Sequence, residues 1–371
     1  MTDLINYITF YSDFMQVFYS SKKVDTLQYS VGESGWHLLG TRRVVFGGVH
    51  GKLTLRGTNK QGTNGATFMF GTNAEVVCTG DIRTLVDYSN YDRTDTSEAV
   101  FKELFKGCKQ LIFPPELYSS KLAKGCFFSM FEGCSSLKAA PELSAIELSD
   151  FCYQKMFEGC TSLVNAPKLP AEKMADNCYN SMFLGCTSLE QSPELPATIL
   201  ARTCYLSMFE NCTTLIFAPG LPATELKDGC YISMFKGCTS LKYGQPLRAI
   251  ELTDSCYSNM FQDCSSLTLP PELYATKLNN HCYAFMFKGC SSLMHAPELP
   301  AQILTQHCYH CMFADCKSLE TITMKAIDIS AIDCLKDWLF KVSKSGTFVK
   351  NKKAEWDNAD IIPDGWSIEL K

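Results

Sequence analysis

Hydrophobic and polar positions repeat every 26 residues through residues 99–335, without insertion or deletion. Three consecutive copies of one stretch, CYQKMFEGCTSL, CYNSMFLGCTSL and CYLSMFENCTTL, begin at Cys152, Cys178 and Cys204. A fixed period of this length is typical of a solenoid, in which each turn of the chain packs only against its neighbours. The sequence therefore predicts about nine stacked repeats of 26 residues.

Within one repeat, apolar residues recur at a spacing of four. Leu148, Cys152, Met156 and Cys160 form such a stripe, which is typical of one face of an α-helix. Gly159 stands in a column that holds only glycine, asparagine or aspartate, the residues that end helices in a left-handed conformation. Each repeat is therefore predicted to contain a helix of about two turns.

An extended segment that contains proline, such as AAPELSA, follows each predicted helix. Proline cannot donate to a β-ladder, so each strand is expected to be only a few residues long. Parallel strands stack at about 4.8 Å whereas helices pack at about 8–10 Å, so the array is expected to bend. The predicted fold class is a curved α/β solenoid, with short parallel strands on its concave side and short helices on its convex side.

Residues 1–90 have a different pattern. Short alternating segments bounded by turn residues, such as TLQYSV, KLTLRG and AEVVCTG, predict a small all-β, sandwich-like domain. Its aromatic residues Tyr7, Phe10, Phe14 and Phe18 suit either one face of a docking helix or core strands, and the strand interpretation is favoured.

Two further segments complete the domain organisation. Residues 91–98 are polar and are predicted to be a linker into the repeats. Residues 336–371 follow the last repeat and carry Trp338, Trp356 and Trp366. They are predicted to cap the open end of the array, because an exposed repeat face is prone to aggregation.

Cysteine is the most regular residue of the repeat. Every cysteine except Cys78 and Cys311 falls in one of two columns with a step of 26 residues. On the predicted helix, Cys152 and Cys160 would lie roughly 10–12 Å apart, beyond the Cα separation of about 7 Å that a disulfide allows. The columns also lack the close C-x-x-C pairs of zinc sites. The cysteines are therefore predicted to be buried free thiols that fill the interior.

Positions that change from repeat to repeat indicate a binding face. Residues that follow an unbroken leucine column vary in chemistry on a constant frame, as expected of a surface that recognises a partner. A glutamate column runs nearby, and it suits either a cationic or hydroxyl-rich ligand or a solvated polar stripe. The candidate ligand-binding residues are Lys138, Asn165, Gln191, Phe217, Tyr243, Leu269, His295, Glu142, Glu194, Glu272 and Glu298.

The motifs give no support for catalysis. No phosphate-binding loop, dinucleotide fingerprint, H-E-x-x-H or G-x-S-x-G is present, so neither an enzymatic activity nor a cofactor is predicted. The stretch HCYHCMFADC departs from the repeat and supplies His307, His310 and Cys311 as candidate metal ligands. A helix would spread these ligands over different faces, so no metal site is predicted.

Charge and hydropathy exclude several classes of partner. The net charge of −5 gives no bulk attraction to nucleic acid. No run of about 18 apolar residues is present, so no membrane insertion is predicted. The segment MTDLINYITFYSDF has neither a basic region nor a small-residue cleavage site, so Sec-type export is not expected.

The unit MFxGCTSLxxAPELPATxL resembles the BspA-like leucine-rich repeat, which is marked by an aromatic residue, Gly-Cys and a Ser/Thr-Ser-Leu run. The 26-residue variant with CYxxMF is similar to the form found in gut bacteria and in the tailed phages that infect them. The likeness covers about residues 98–335 and extends to LQYSVGESGWHLLG before the repeats and AIDISAIDCLKDWLFKVSKSGTFVK after them. The resemblance implies a leucine-rich-repeat solenoid that serves surface adhesion and recognition.

These observations lead to one functional hypothesis and one alternative. The protein is expected to be a phage virion component, such as a tail fibre, spike or decoration protein, on the virion surface. Its repeat face would recognise a host-surface protein or glycan, and residues 1–90 would attach to other virion proteins. Assembly in the host cytoplasm accounts for the free thiols. The alternative is a bacterial cell-surface leucine-rich-repeat adhesin, and homo-oligomerisation is left open.

Overall fold

The computed structural model describes residues 5–357 and 361–371. The chain divides into two compact units, which we call the N-terminal unit and the C-terminal unit. The N-terminal unit runs to Ala171 and includes Met182–Leu189, and the C-terminal unit comprises Glu172–Ser181 and Glu190–Lys371. Within each unit, coils of 26 residues stack on one another through main-chain hydrogen bonds.

The described part of the N-terminal unit contains nine strands. They are β1 (Ile8–Tyr11), β2 (Gln16–Ser20), β3 (Gln28–Val31), β4 (His37–Leu38), β5 (Val44–Phe46), β6 (Leu53–Arg56), β7 (Phe68–Phe70), β8 (Val76–Thr79) and β9 (Leu111–Phe113). One sheet has the order β4-β3-β6-β1-β8-β9 and the other has the order β5-β2-β7. Only the pairing of β8 with β9 is parallel in these two sheets. The N-terminal domain is therefore all-β.

Aromatic side chains fill the space between the two sheets. Phe10 of β1 and Phe18 of β2 are fully buried and stack with ring centroids 5.6 Å apart. They are core strand residues and do not form a helix face, whereas Phe14 lies in the connecting loop and is exposed. Phe105, from the first repeat, packs against Phe10 at 6.2 Å. The β domain and the first repeat thus share one hydrophobic core.

Residues 91–98 connect directly to the repeats. A short 3-10 helix, Tyr91–Arg93, is followed by Thr96, which is fully buried. The Thr96 hydroxyl donates to Ser119 Oγ at 2.8 Å, and Thr96 forms a parallel bridge with Leu122. Main-chain pairing therefore continues from the β domain into the coils.

The prediction of an α-helix in each repeat is wrong. The one α-helix among the described residues, α1 (Thr84–Asp87), is four residues long and precedes the repeats. An α/β solenoid requires convex helices, but the chain makes consecutive turns at those positions, as it does over residues 150–159. The described chain therefore consists almost entirely of strands, turns and extended segments, and it is not an α/β fold.

Two series of main-chain hydrogen bonds alternate along these turns. The N–H of Met130 donates to the carbonyl oxygen of Phe127, within the same coil, at 3.1 Å. The N–H of the next residue, Phe131, donates to the carbonyl oxygen of Met156 in the following coil, at 2.9 Å. An α-helix directs every N–H to residue i−4 and has none left for a neighbour. In these turns, every second N–H joins two coils, and the pattern recurs in the C-terminal unit.

Left-handed residues give the turns a period of four. Gly125, Ser129 and Gly133 have φ angles of 63°, 51° and 73°. A spacing of four drifts by about 40° per step on a helix of 3.6 residues per turn. A turn of four residues keeps the same side chains in line, so the apolar stripe does not require a helix.

Buried side chains stack in register between coils. In the N-terminal unit, the rings of Phe105, Phe131 and Phe157 follow one another at 5.5 and 5.6 Å and are nearly parallel. All twenty cysteines are free, and all except Cys311 are buried. The prediction of buried free thiols is therefore confirmed.

The end of the C-terminal unit is a parallel three-stranded sheet, formed by β10 (Thr321–Met324), β11 (Gly346–Lys350) and β12 (Trp366–Leu370). Trp338 is buried, and its indole N–H donates to the carbonyl oxygen of Ile361 at 2.8 Å. Its ring packs edge-on against Phe313 at 6.3 Å. Residues 336–371 thus extend the stack by two strands and cover the Phe313 ring.

Candidate recognition face

The candidate face follows the buried leucine column of each coil. In the C-terminal unit, Leu215 is fully buried, whereas Phe217, two residues later, is 57% exposed, and Pro219 is buried again. Parallel bridges join Phe217 to Tyr243 and Tyr243 to Leu269. Side chains at equivalent positions of successive coils therefore project side by side.

These side chains form an apolar ridge, which we define as Phe217, Tyr243 and Leu269. The rings of Phe217 and Tyr243 stack with centroids 5.0 Å apart and planes inclined by 12°. Leu269 is 59% exposed. His295 is in the next coil, where its Nδ1 lies 2.8 Å from the Thr321 hydroxyl. The structure thus brings four of the sequence candidates together on one face.

The other variable candidates are exposed but lie outside the apolar ridge. Lys138 and Asn165 belong to the N-terminal unit, and Gln191 belongs to the C-terminal unit. The N–H of Lys138 donates to the carbonyl oxygen of Ile112 at 3.0 Å, which leaves its side chain in solvent.

A groove opens where Gly220 and Pro246 interrupt the glutamate column, three residues beyond the aromatic positions of the apolar ridge. Its volume is about 430 Å³. A Cβ atom on Gly220 would meet no atom within 4 Å, so the missing side chain accounts for open space. The walls are largely prolines, namely Pro193, Pro196, Pro219, Pro222 and Pro246.

Two opposite charges line this groove. Glu194 and Arg248 are both exposed, and neither has an ion-pair partner in the part of the chain that the structure describes. Sequence reasoning selected Glu194 but missed Gly220, Pro246 and Arg248. The available signal was the break in the glutamate column, since a missing side chain in a regular column leaves a depression.

The glutamate column does not form a continuous acidic site. Glu298 is ion-paired with Lys325, and Glu272 accepts a hydrogen bond from the Tyr274 hydroxyl. That hydrogen bond to the Glu272 carboxylate raises the pKa of Tyr274. Glu142 is exposed in the N-terminal unit. Among residues 5–357 and 361–371, no group of three or more His, Cys, Asp and Glu side chains is placed to hold a metal ion.

The candidate ligands His307, His310 and Cys311 do lie close together. The rings of His307 and His310 are 5.6 Å apart, and Cys311 Sγ is 3.7 Å from His310 Nε2. The His281 ring stacks on His307 at 4.7 Å. Burial, together with the charge of His307, lowers the pKa of His310. Stacked imidazole rings turn their faces to each other, and this arrangement does not converge their nitrogens on one point.

The buried thiols are chemically quiet. Burial raises the pKa of both Cys152 and Cys186 to about 12. The thiolate is the nucleophile and the metal ligand, so a thiol that stays protonated near neutral pH performs neither role. The cysteine columns are therefore packing elements.

Comparison of the chain with protein-family models, with curated proteins and with solved structures finds no match. The resemblance to BspA-like repeats thus rests on motif residues such as Met156, Phe157, Gly159 and Cys160. No helix in the described residues is long and apolar enough to cross a bilayer.

Proposed function

We propose that the protein is a non-catalytic binding protein that recognises a host-surface ligand through the apolar ridge and the adjoining groove. The observation that carries this proposal is the exposed stack of Phe217 and Tyr243 beside a groove with two unpaired charges. Exposed aromatic side chains on a rigid frame are typical of the energetic centres of binding sites.

The chemistry of the groove favours an extended segment of a host-surface protein over a glycan. Its proline walls are apolar and offer no main-chain N–H to a sugar hydroxyl. Glu194 and Arg248 stand two coils apart, roughly 10 Å by the stacking distance of strands. Such a pair would orient a peptide that carries complementary charges at a matching separation.

We propose that the protein acts on a virion surface, as a tail fibre, spike or decoration component assembled in the host cytoplasm. The resemblance of the repeat to those of phages of gut bacteria supports this location. Twenty free cysteines also suit synthesis in a reducing compartment. On this proposal, residues 1–90 hold the protein to other virion proteins.

The experiment is binding of the labelled full chain to cells of the host bacterium. The double variant Phe217→Ala/Tyr243→Ala is expected to lose most binding, whereas Ile303→Ala removes an equally exposed side chain elsewhere in the C-terminal unit and should bind normally. Equal binding by all three proteins would contradict the proposal. Mass spectrometry of purified phage particles and of bacterial envelopes then separates the virion protein from the bacterial adhesin.

A further inference from the structure

A second cleft lies in the N-terminal unit, on the face of the six-stranded sheet that points away from the buried Phe10. A row of hydroxyl side chains crosses four adjacent strands of this face. Ser30 of β3 pairs with Thr54 of β6, Thr54 pairs with Thr9 of β1, and Thr9 pairs with Thr79 of β8. We call these four residues the hydroxyl row. They line a cleft of about 550 Å³.

Most of the hydroxyl row has no internal hydrogen-bond partner. The Thr9 hydroxyl donates to the carbonyl oxygen of Tyr7 at 3.0 Å. Ser30, Thr54 and Thr79 form no side-chain hydrogen bond within the described residues, although Ser30 is only 9% exposed. Buried polar groups are normally paired, so an unpaired hydroxyl on the floor of a cleft indicates a site that water or a polar ligand fills.

Aromatic rings border the hydroxyl row on both sides. Trp36 packs edge-on against Tyr7 with centroids 5.0 Å apart, and the Arg56 guanidinium lies over the Trp36 ring at 4.0 Å. These contacts hold the indole in a fixed orientation at the cleft. Tyr11, at the other end of β1, is 43% exposed. Lys52 also lines the cleft and is the one charged side chain there.

We infer that this cleft binds a saccharide. A pyranose ring presents hydroxyls along its edge and an apolar face of C–H bonds, which match a row of hydroxyls between aromatic rings. The volume falls within the range of about 300–1,000 Å³ that small-molecule sites occupy, and it suits one or two sugar units. A polyphosphate would require more cations than Lys52 supplies, and a lipid chain would require an apolar floor.

The test is a printed array of neutral and acidic oligosaccharides, probed with the labelled full chain, followed by titration of the free oligosaccharide that binds best. Thr54→Val and Thr79→Val keep the β-branched shape of the strand residues and remove only the hydroxyls. The double variant Thr54→Val/Thr79→Val is expected to weaken binding at least about tenfold, as is Trp36→Ala. Thr323→Val is the matched control, since it makes the same change in β10, and it should bind as the unaltered chain does.

Two results would overturn the inference: no oligosaccharide bound by the full chain at millimolar concentration, or undiminished binding by Thr54→Val/Thr79→Val. Far-UV circular dichroism of each variant establishes that a loss of binding is not a loss of folding. The Phe217→Ala/Tyr243→Ala variant should retain saccharide binding, because its changes are confined to the C-terminal unit. Failure of this test therefore leaves the proposed recognition of host cells untouched, and the reverse also holds.

Discussion

The thiol of Cys160 donates a hydrogen bond to the backbone carbonyl oxygen of Phe131, one coil earlier, across 3.1 Å. The same oxygen accepts the N–H of Cys134 at 3.0 Å. Cysteine suits this position because it is a small, easily buried side chain with a weak S–H donor. The same thiol contact recurs at Cys238 and Cys264 in the C-terminal unit. The column therefore supplies hydrogen bonds between coils as well as packing.

Thiol labelling should separate Cys311 from the rest. Cys311 is half-buried and every other cysteine is buried, so a thiol reagent is expected to modify the native protein at Cys311, slowly because burial raises its pKa. After unfolding without reductant, all twenty thiols should react. Mass spectrometry counts the labels, and Cys311→Ser should abolish native labelling. A count well below twenty in the unfolded state would contradict the description of the columns.

Stability should fall at alkaline pH. Burial raises the pKa of Cys152 and Cys186 to about 12, and the buried hydroxyl of Tyr231 shifts in the same direction. A group with a raised pKa in the folded state stabilises fully below its unfolded pKa, and that contribution is lost as the pH rises through the folded value. The free energy of unfolding should therefore hold to about pH 8 and decrease from about pH 8.5 towards 12. Urea denaturation at neutral pH and near pH 10 checks this expectation, and equal midpoints would oppose it.

Ser129→Gly should stabilise the N-terminal unit. Ser129 has a φ angle of 51°, and its hydroxyl is buried without a partner in the described structure. Glycine relieves the left-handed strain and removes the unpaired hydroxyl, so the free energy of unfolding should rise by about 1 kcal/mol. On an α-helix the same change costs about 0.5 kcal/mol. Ser129→Ala is the control that removes the hydroxyl and keeps the strain, and chemical denaturation measures all three proteins. Destabilisation by glycine would restore the helix interpretation.

Gly220→Glu should close the groove without disturbing the coil. Gly220 is outside the left-handed region, and its new Cβ would meet no atom within 4 Å, so the free energy of unfolding should change by less than about 0.5 kcal/mol. The glutamate completes the acidic column and fills the space between the prolines, so binding to host cells should be lost. Thr276→Glu places the same charge on an exposed site elsewhere in this unit and should leave binding intact. Retained binding by Gly220→Glu would remove the groove from the recognition site.

Much of the architecture was available from the sequence, because a fixed period reports stacking directly. The buried columns at Cys152, Cys160 and Leu163 and the cysteines' free state follow from spacing alone. The helices do not, since a spacing of four describes both a helix face and a turn of four residues. A left-handed φ at Lys155, between Cys152 and Cys160, distinguishes the two, and no rule for L-residues predicts that conformation at a lysine.

The recognition face was predictable only in part. Variation on a constant frame located Phe217 and Tyr243, and the structure places these rings 5.0 Å apart on an exposed surface. The groove depends on two side chains that interrupt a column, and the cleft of the N-terminal unit depends on strand register. Pairing of Thr9 with both Thr54 and Thr79 joins strands far apart in sequence, and local patterns carry no information about such pairing.

The alternation of hydrogen-bond donors along the turns has an evolutionary consequence. Inserting or deleting one residue would exchange the donors that join coils with those that close turns, and the following carbonyl oxygens would be mismatched. Adding or removing a whole coil preserves the parity, so copy number is the length change that the main chain tolerates. Unequal exchange between neighbouring copies can therefore create or delete ligand-facing positions as complete modules, while point substitutions diversify them one at a time.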